Sequence, residues 1–99
     1  MTYSDVQAML EDAVSHETIH AHGNFWRGKT RDEFVGMVVL KKWPLLVVGN
    51  AKESNLIKAV RGLPPFDGTE ASQMPDGFPP LSEASIAKLE GWIDAGCPV

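Results

Sequence analysis

Three histidines occur between residues 16 and 22, which makes this segment the first candidate for chemistry. Residues 16–20 match the pattern H-E-x-x-H. On a helix, His16 and His20 would lie one turn apart on one face, where they could share a Zn²⁺ with Glu17 as general base. A zinc protease needs a further ligand downstream, and His22 is too near in sequence to supply it. We therefore expect no peptide hydrolysis here.

A simpler use of the same residues is metal binding without catalysis. His16, His20 and His22 form a candidate site for Zn²⁺, Ni²⁺ or Cu²⁺, because neutral imidazole is a good ligand for all three ions. The alternative interpretation is that the three side chains are solvated or cap nearby backbone groups. The sequence leaves both interpretations open.

Nucleophilic catalysis has no recognisable residue arrangement in this chain. Cys97 is the only thiol, and its Gly-Cys-Pro context at a helix end favours a small buried side chain over a nucleophile. No glycine-rich phosphate loop occurs, since Gly62 and Gly68 are isolated. We identify no catalytic residues, and the sequence predicts a protein that is not an enzyme.

Capping patterns predict the two helices of the first half of the chain. Ser4 and Gln7 form a capping box, followed by apolar residues at helical spacing, so we expect a first helix over residues 5–15. Thr30 and Glu33 form a second capping box, which predicts a short second helix. The histidine segment would then lie in the loop between these helices.

The second half of the chain predicts two more helices separated by a long loop. Ser54 can cap a third helix, and Gly62 stands where a left-handed C-terminal glycine belongs. Ser82 can cap a fourth helix, which residues 96–98 stop. Residues 63–80 are rich in Pro, Gly and Asp. A loop of that length in a compact domain is usually functional or wraps a ligand.

These elements predict one all-α domain over residues 1–99, with about four helices and the long proline-rich loop. The first and last helices are the longest and the most amphipathic, so we expect them to pack across each other with Trp92 in the contact. Residues 45–48 could form a strand, but they are few and have no obvious strand partner.

Four landmarks of the second half occur in an order and spacing typical of one family. They are a Ser-x-Leu helix at residues 54–62, Gln-Met-Pro at 73–75, Pro-Pro-Leu-Ser at 79–82 and Gly-Trp-Ile-Asp-Ala-Gly at 91–96. This pattern resembles the C-terminal part of class I cytochromes c, above all the small planctomycete-type cytochrome c domains. The resemblance covers roughly residues 48–98, and it implies a cytochrome c-like fold.

The resemblance also implies where haem ligands and haem attachment would lie. Met74 stands at the place of the distal iron ligand in the Met-Pro loop. The Cys-x-x-Cys-His motif should follow the first helix, and there His22-Gly23 matches its His-Gly. Thr18 and Ala21 occupy the two cysteine positions, and neither can form a thioether. The chain therefore resembles a degenerate member of the family that cannot attach haem covalently.

Two outcomes are open for the haem site that this resemblance implies. Haem could still bind without a covalent bond, with His22 and Met74 as its axial ligands. The leading expectation is that no cofactor binds, because apolar side chains, Trp43 among them, collapse into the vacated space with Met74 as an adaptable plug. Candidate residues for lining the pocket, or for filling it, are Phe25, Trp26, Leu45, Leu46, Phe66 and Phe78.

Composition excludes several other classes of protein. Nine Lys and Arg against thirteen Asp and Glu, with a net charge of −4, argue against nucleic-acid binding. A single cysteine excludes an internal disulfide. No apolar run reaches the length of a membrane span, and the first residues do not resemble a secretory signal. We therefore expect a cytoplasmic protein that acts without nucleic acid or membrane.

The leading functional hypothesis is a haem-free cytochrome c-like accessory protein that binds a protein partner, expected to be an oxidoreductase. Apolar loops at residues 25–26 and 64–66 would form its docking patch. The first alternative is an electron carrier that holds haem non-covalently through His22 and Met74. The second alternative is a small metal-binding protein that uses the three histidines.

Overall fold

Four α-helices and one small sheet make up the fold in the computed structural model, which describes residues 1–19 and 23–99. The sheet has two antiparallel strands, and helices dominate the regular structure of the described residues, in agreement with the predicted helical class. In chain order the elements are α1 Tyr3–Ala13, α2 Arg31–Val35, β1 Val38–Val39, β2 Trp43–Pro44, α3 Asn55–Arg61 and α4 Glu83–Asp94.

Local capping interactions start or end three helices at the predicted places. Thr30 and Glu33 form a reciprocal capping box at the start of α2. The Ser82 hydroxyl accepts a hydrogen bond from the backbone of Ser85 at 3.1 Å and starts α4. Gly62 ends α3 with a left-handed backbone, at φ 68°. All of these contacts join residues close in sequence, which is why the sequence predicts them.

The start of α1 differs from its prediction. The capping box is formed by Thr2 and Asp5, so the helix begins at Tyr3. The predicted partner Gln7 instead donates a side-chain hydrogen bond to the carbonyl of Trp26 at 2.8 Å. The Gln7 side chain, which the local pattern assigned to a cap, therefore binds the loop between α1 and α2 instead.

The strands lie just before the segment that the sequence offered as a strand. Residues 45–48 contribute no strand, and Val38–Val39 pairs with Trp43–Pro44 instead. The turn between the strands places Leu40 and Lys41 at positive φ, 55° and 57°. Such a turn usually contains Asn or Gly, so Leu-Lys offers no local signal for it. We call residues 38–44 the β-hairpin.

An aromatic cluster joins the first and last helices. Tyr3 of α1 stacks on Trp92 of α4 with ring centroids 6.3 Å apart, and the ring of Phe34 contacts both. Trp92 therefore contacts α1 as predicted, but α1 and α4 do not make the extensive contact expected of two helices packed across each other. The indole of Trp92 also donates a hydrogen bond to the carbonyl of Pro98 at 2.8 Å, which ties the C-terminal residues to α4.

Helices α3 and α4 make the most extensive backbone contact between helices in the described part of the chain. Arg61 at the end of α3 donates two hydrogen bonds to Glu83, both at 2.9 Å, and two to Glu90, at 2.8 and 3.2 Å. These hydrogen bonds, first to Glu83 and then to Glu90, raise the pKa of the Arg61 guanidinium above its usual value. The ion pairs hold α3 in place against α4.

The buried side chains form one hydrophobic cluster that includes residues of all four helices. The Cα radius of gyration is 12.2 Å, close to the roughly 13 Å of a compact domain of 100 residues. Among the described residues, no helix has the length and apolar character needed to cross a membrane.

Candidate ligand cavity

An apolar cavity of about 380 Å³ lies between α1, α3, the β-hairpin and the long loop that follows α3. It is partly open to solvent. Its volume falls in the range of small-molecule sites, about 300–1,000 Å³. Apart from two tryptophan indoles, the polar residues among the described lining residues are Thr18, Asn55 and Asp76. The expected complete collapse of this space is therefore wrong.

Most of the predicted pocket residues lie on the wall of this cavity. Met74 and Trp43 line it, and Leu46 is buried in the core without lining it. These residues come from four separate parts of the chain, so the fold brings the predicted set together. The other predicted residues on the wall are Phe25, Trp26, Leu45, Phe66 and Phe78.

Two helices contribute wall residues that the sequence did not single out. Their apolar side chains recur at helical spacing, which is the signal of any buried helix face. The periodicity therefore identified the faces, but it could not distinguish a cavity wall from a packed helix contact. The residues are Leu10 and Ala13 of α1, Val14 directly after it, and Leu56, Ala59 and Val60 of α3.

The backbone around Met74 is fastened to α3. The Met74 amide donates to the carbonyl of Ala59 at 2.9 Å, and the Gln73 side chain donates to the carbonyl of Val60 at 3.0 Å. Gln73 packs so closely on Gly62 that a Cβ there would lie 2.8 Å from its amide oxygen. These contacts set Met74 against the C-terminal half of α3, on the cavity wall.

An ionic network fixes the opposite wall at the end of α1. The Glu11 carboxylate accepts hydrogen bonds from the Trp26 indole at 2.6 Å and from Arg27. Arg27 also donates to the carbonyls of His16 and Glu17. The hydrogen bonds from Arg27, and with them the one from Trp26, lower the pKa of Glu11 to about 2. The network therefore holds the loop after α1 and positions a tryptophan of the wall.

Residues 20–22 lie outside the described residues, and the predicted ligands His20 and His22 lie there with them. The nearest cavity-lining residues on either side are Ile19 and Phe25. Asn24 joins the two sides, since its side-chain oxygen accepts a hydrogen bond from the Ile19 backbone at 2.8 Å. The described residues Ile19 and Phe25, which flank this segment in the sequence, therefore lie on the cavity wall.

The helical interpretation of the H-E-x-x-H pattern is wrong. Helix α1 ends at Ala13, and His16 has a left-handed backbone with φ 60°. Its ring instead lies 3.1 Å from the carboxylate of Asp12, exposed to solvent. Of the three predicted metal ligands, only His16 belongs to the described part, within which no group of three potential ligands forms.

The expected docking patch does not form around its aromatic residues. Trp26 is 3% exposed and Phe66 is 6% exposed, and both side chains form part of the cavity wall. Pro64 is exposed and Phe25 is half-buried. The aromatic side chains that the docking hypothesis placed on the surface therefore line the cavity.

Cys97 is a buried free thiol, as its sequence context predicts. Burial raises the pKa of this thiol, which lowers its thiolate fraction and its reactivity. Its backbone carbonyl accepts a hydrogen bond from Arg31 at 2.7 Å. The residue acts as a small apolar side chain in the core.

A fold does not determine function without a site. Searches against protein-family models, curated proteins and solved structures find no match to the chain.

Proposed function

We propose that the chain binds haem non-covalently in the cavity and acts as a small electron carrier on a cytochrome c-like scaffold. The single observation that supports this most is the apolar cavity of about 380 Å³ with Met74 on its wall. When bound, haem supplies one-electron chemistry at its iron. Thr18 has no sulfur to form a thioether, so attachment has to be non-covalent.

The described residues suit an aromatic macrocycle in three respects. The walls are apolar on several sides, and they include aromatic pairs such as Trp43 and Phe66, whose ring centroids lie 5.2 Å apart. Met74 offers a thioether, which is an established axial ligand of haem iron. The second axial ligand in this proposal is His22, which lies outside the described residues.

The cost of the cavity is a second argument for a ligand. Unfilled apolar space costs about 24 cal/mol per Å³ when a void is sealed, and the opening to solvent reduces this penalty here. An apolar ligand would still stabilise the folded chain, because it supplies contacts to the wall in place of water.

Ligand binding is better supported than the accessory-protein hypothesis. The docking patch of that hypothesis needs exposed aromatic side chains, and Trp26 and Phe66 are buried in the cavity wall. The metal-binding hypothesis has only His16 among the described residues, and its ring is beside Asp12. The geometry thus favours an occupant of the interior.

Haem titration of the purified protein tests the proposal. We expect saturable one-to-one binding with a shifted Soret band. Met74→Leu should keep the shape of the wall but change the spectrum of the bound haem, because leucine cannot ligate iron. Met37→Leu, at a half-buried methionine that does not line the cavity, is the matched control and should leave the spectrum unchanged.

Iron-free protoporphyrin separates the cavity from the iron ligand. Met74→Leu should bind protoporphyrin as tightly as the wild type does, and so should His22→Ala, because neither variant removes the apolar wall. Failure of the wild type to bind either haem or protoporphyrin would overturn the proposal. An identical haem spectrum in wild type and Met74→Leu would exclude Met74 as the ligand.

A further inference from the structure

We propose that Lys42 binds a carboxylate at the polar end of the cavity's ligand. The ligand class is then a flat apolar molecule with an acidic group, and Lys42 determines its orientation. This inference rests on the proposed function, since it requires that the cavity binds an apolar ligand.

Among the described residues, the interior of the cavity offers no cationic partner for an anionic group. Its described lining residues include no lysine or arginine, and the one charged residue among them is Asp76, which repels a carboxylate. The side-chain amide of Asn55 already donates a hydrogen bond to the carbonyl of Pro44 at 2.8 Å. Burying an unpaired carboxylate is strongly unfavourable, so an acidic end has to lie outside the apolar wall.

Lys42 lies immediately beside that wall on the β-hairpin. Its ammonium is 4.9 Å from the ring centroid of Trp43, and Trp43 lines the cavity. The residue two positions earlier, Leu40, also lines the cavity. Lys42 does not itself line the cavity, and its ammonium faces solvent against the ring of a residue that does.

The present partner of Lys42 is easily replaced. The ammonium pairs with Glu70 at 2.9 Å, and both side chains are about half exposed, at 57% and 49%. Ion pairs that are so exposed are weak, since water competes with both partners. Arg27, the cation next to the wall residue Trp26, is instead held by Glu11 and two backbone carbonyls. Lys42 is therefore the better candidate for a ligand carboxylate.

Protoporphyrin and its dimethyl ester form a matched pair of probes for this inference, because they differ in their carboxylates. Lys42→Gln should weaken binding of the acid by about 2- to 5-fold at low salt, the range of an exposed ion pair, and leave the ester unaffected. Glu70→Gln should tighten binding of the acid, because it removes the competing carboxylate. Lys52→Gln, at an exposed lysine away from the cavity wall, is the control and should change neither affinity.

Salt dependence gives an independent measurement. Raising the salt to about 0.5 M should remove the difference between wild type and Lys42→Gln for the acid. Equal effects of Lys42→Gln on acid and ester, or no effect on either, would overturn the role of Lys42 while the cavity hypothesis stands. Failure of the wild type to bind both probes would overturn the proposed function and this inference together.

Discussion

At the scale of single residues, Glu11 connects the end of α1 to the cavity wall. Its carboxylate accepts hydrogen bonds from the Trp26 indole and from Arg27 at the same time. The side chain is 19% exposed, so water competes little with these partners. Charge-assisted hydrogen bonds in such a setting are stronger than neutral ones. The position of a wall tryptophan therefore depends on one ionised group.

Glu11→Gln should destabilise the protein at neutral pH by about 1.5–3 kcal/mol, the usual range for hydrogen bonds to a charged group. The folded pKa of Glu11 is about 2, below its ordinary value of 4.5. This lowered pKa means that the stabilisation is fully present above pH 4.5 and is lost as the pH falls towards 2. Denaturant unfolding of wild type and variant across this pH range measures the difference.

Glu17→Gln is the control for Glu11→Gln, since the Glu17 side chain is exposed and contributes only its backbone carbonyl to the network. It should change the free energy of unfolding little at any pH. A difference between wild type and Glu11→Gln that stays constant from pH 7 to about 2 would contradict the assigned ionisation.

At the scale of elements, the turn at Gly62 sets the long loop against α3. The residue has a left-handed backbone, and its missing Cβ leaves room for Gln73. Gln73 and Met74 then bind the carbonyls of α3. The position of the proposed iron ligand thus depends on how α3 ends, 12 residues earlier in the chain.

Gly62→Ala should destabilise the fold by about 1–2 kcal/mol, because a Cβ is strained at positive φ and would displace Gln73. Haem binding should weaken as well, since Met74 follows Gln73. Thermal unfolding and haem titration of the same variant measure the two effects.

Gly91→Ala provides the matched comparison within α4. No atom lies within 4 Å of a Cβ at Gly91, whose backbone is helical. Alanine should therefore stabilise the protein, by up to about 1 kcal/mol. A destabilisation of similar size in both alanine variants would mean that the close contact at Gly62 is not the cause of its effect.

At the scale of the whole molecule, a small chain leaves an apolar cavity that is partly open to solvent. A domain of about this size has little stability to spare, so a cavity of about 380 Å³ has to be compensated by the rest of the core or by a ligand. The compensating core lies between α1, α2 and α4, around Tyr3, Phe34 and Trp92. The cavity lies between α1, α3, the β-hairpin and the long loop after α3.

Ala59→Leu tests whether the space exists in the protein without ligand. Ala59 lines the cavity, so three added carbon atoms should stabilise the apo protein by about 1–2 kcal/mol through apolar burial. The same atoms should weaken haem and protoporphyrin binding by roughly tenfold or more, since they occupy ligand space. Thermal unfolding measures the expected gain in stability, and ligand titration measures the expected loss of affinity.

Ala51→Leu makes the same substitution at a buried site that does not line the cavity. Overpacking should there destabilise the protein by about 1–3 kcal/mol. If Ala59→Leu were destabilising to the same degree, the space beside Ala59 would be filled by protein atoms in solution, and the ligand hypothesis would lose its main support.

The elements that local interactions define could be predicted from the sequence. The boundaries at Thr30, Gly62 and Ser82 follow from contacts that span about four residues or fewer. The start of α1 was mispredicted because two local capping patterns overlap: Thr2 with Asp5 forms the cap, and the Gln7 side chain binds Trp26, 19 residues away. The β-hairpin could not be predicted, since Leu40 and Lys41 are unusual residues for its turn.

The candidate site was predictable in part, and the resemblance to cytochromes c supplied much of that part. Met74, Phe66 and Trp26 were selected as pocket residues and line the cavity. The role of Lys42 and of the Glu11 network had no local signal, because their partners are 15 to 28 residues away. Contacts of that separation depend on the folded arrangement.

The sequence by itself determined that four helices form, the caps at Thr30, Gly62 and Ser82, and the apolar residues that have to leave water. The tertiary structure alone decided whether those apolar residues pack against each other or line a cavity. The physical reason is that helical periodicity specifies a face, whereas a cavity depends on the distance between faces from different parts of the chain. Here α1 and α3 stand far enough apart to leave room for a ligand.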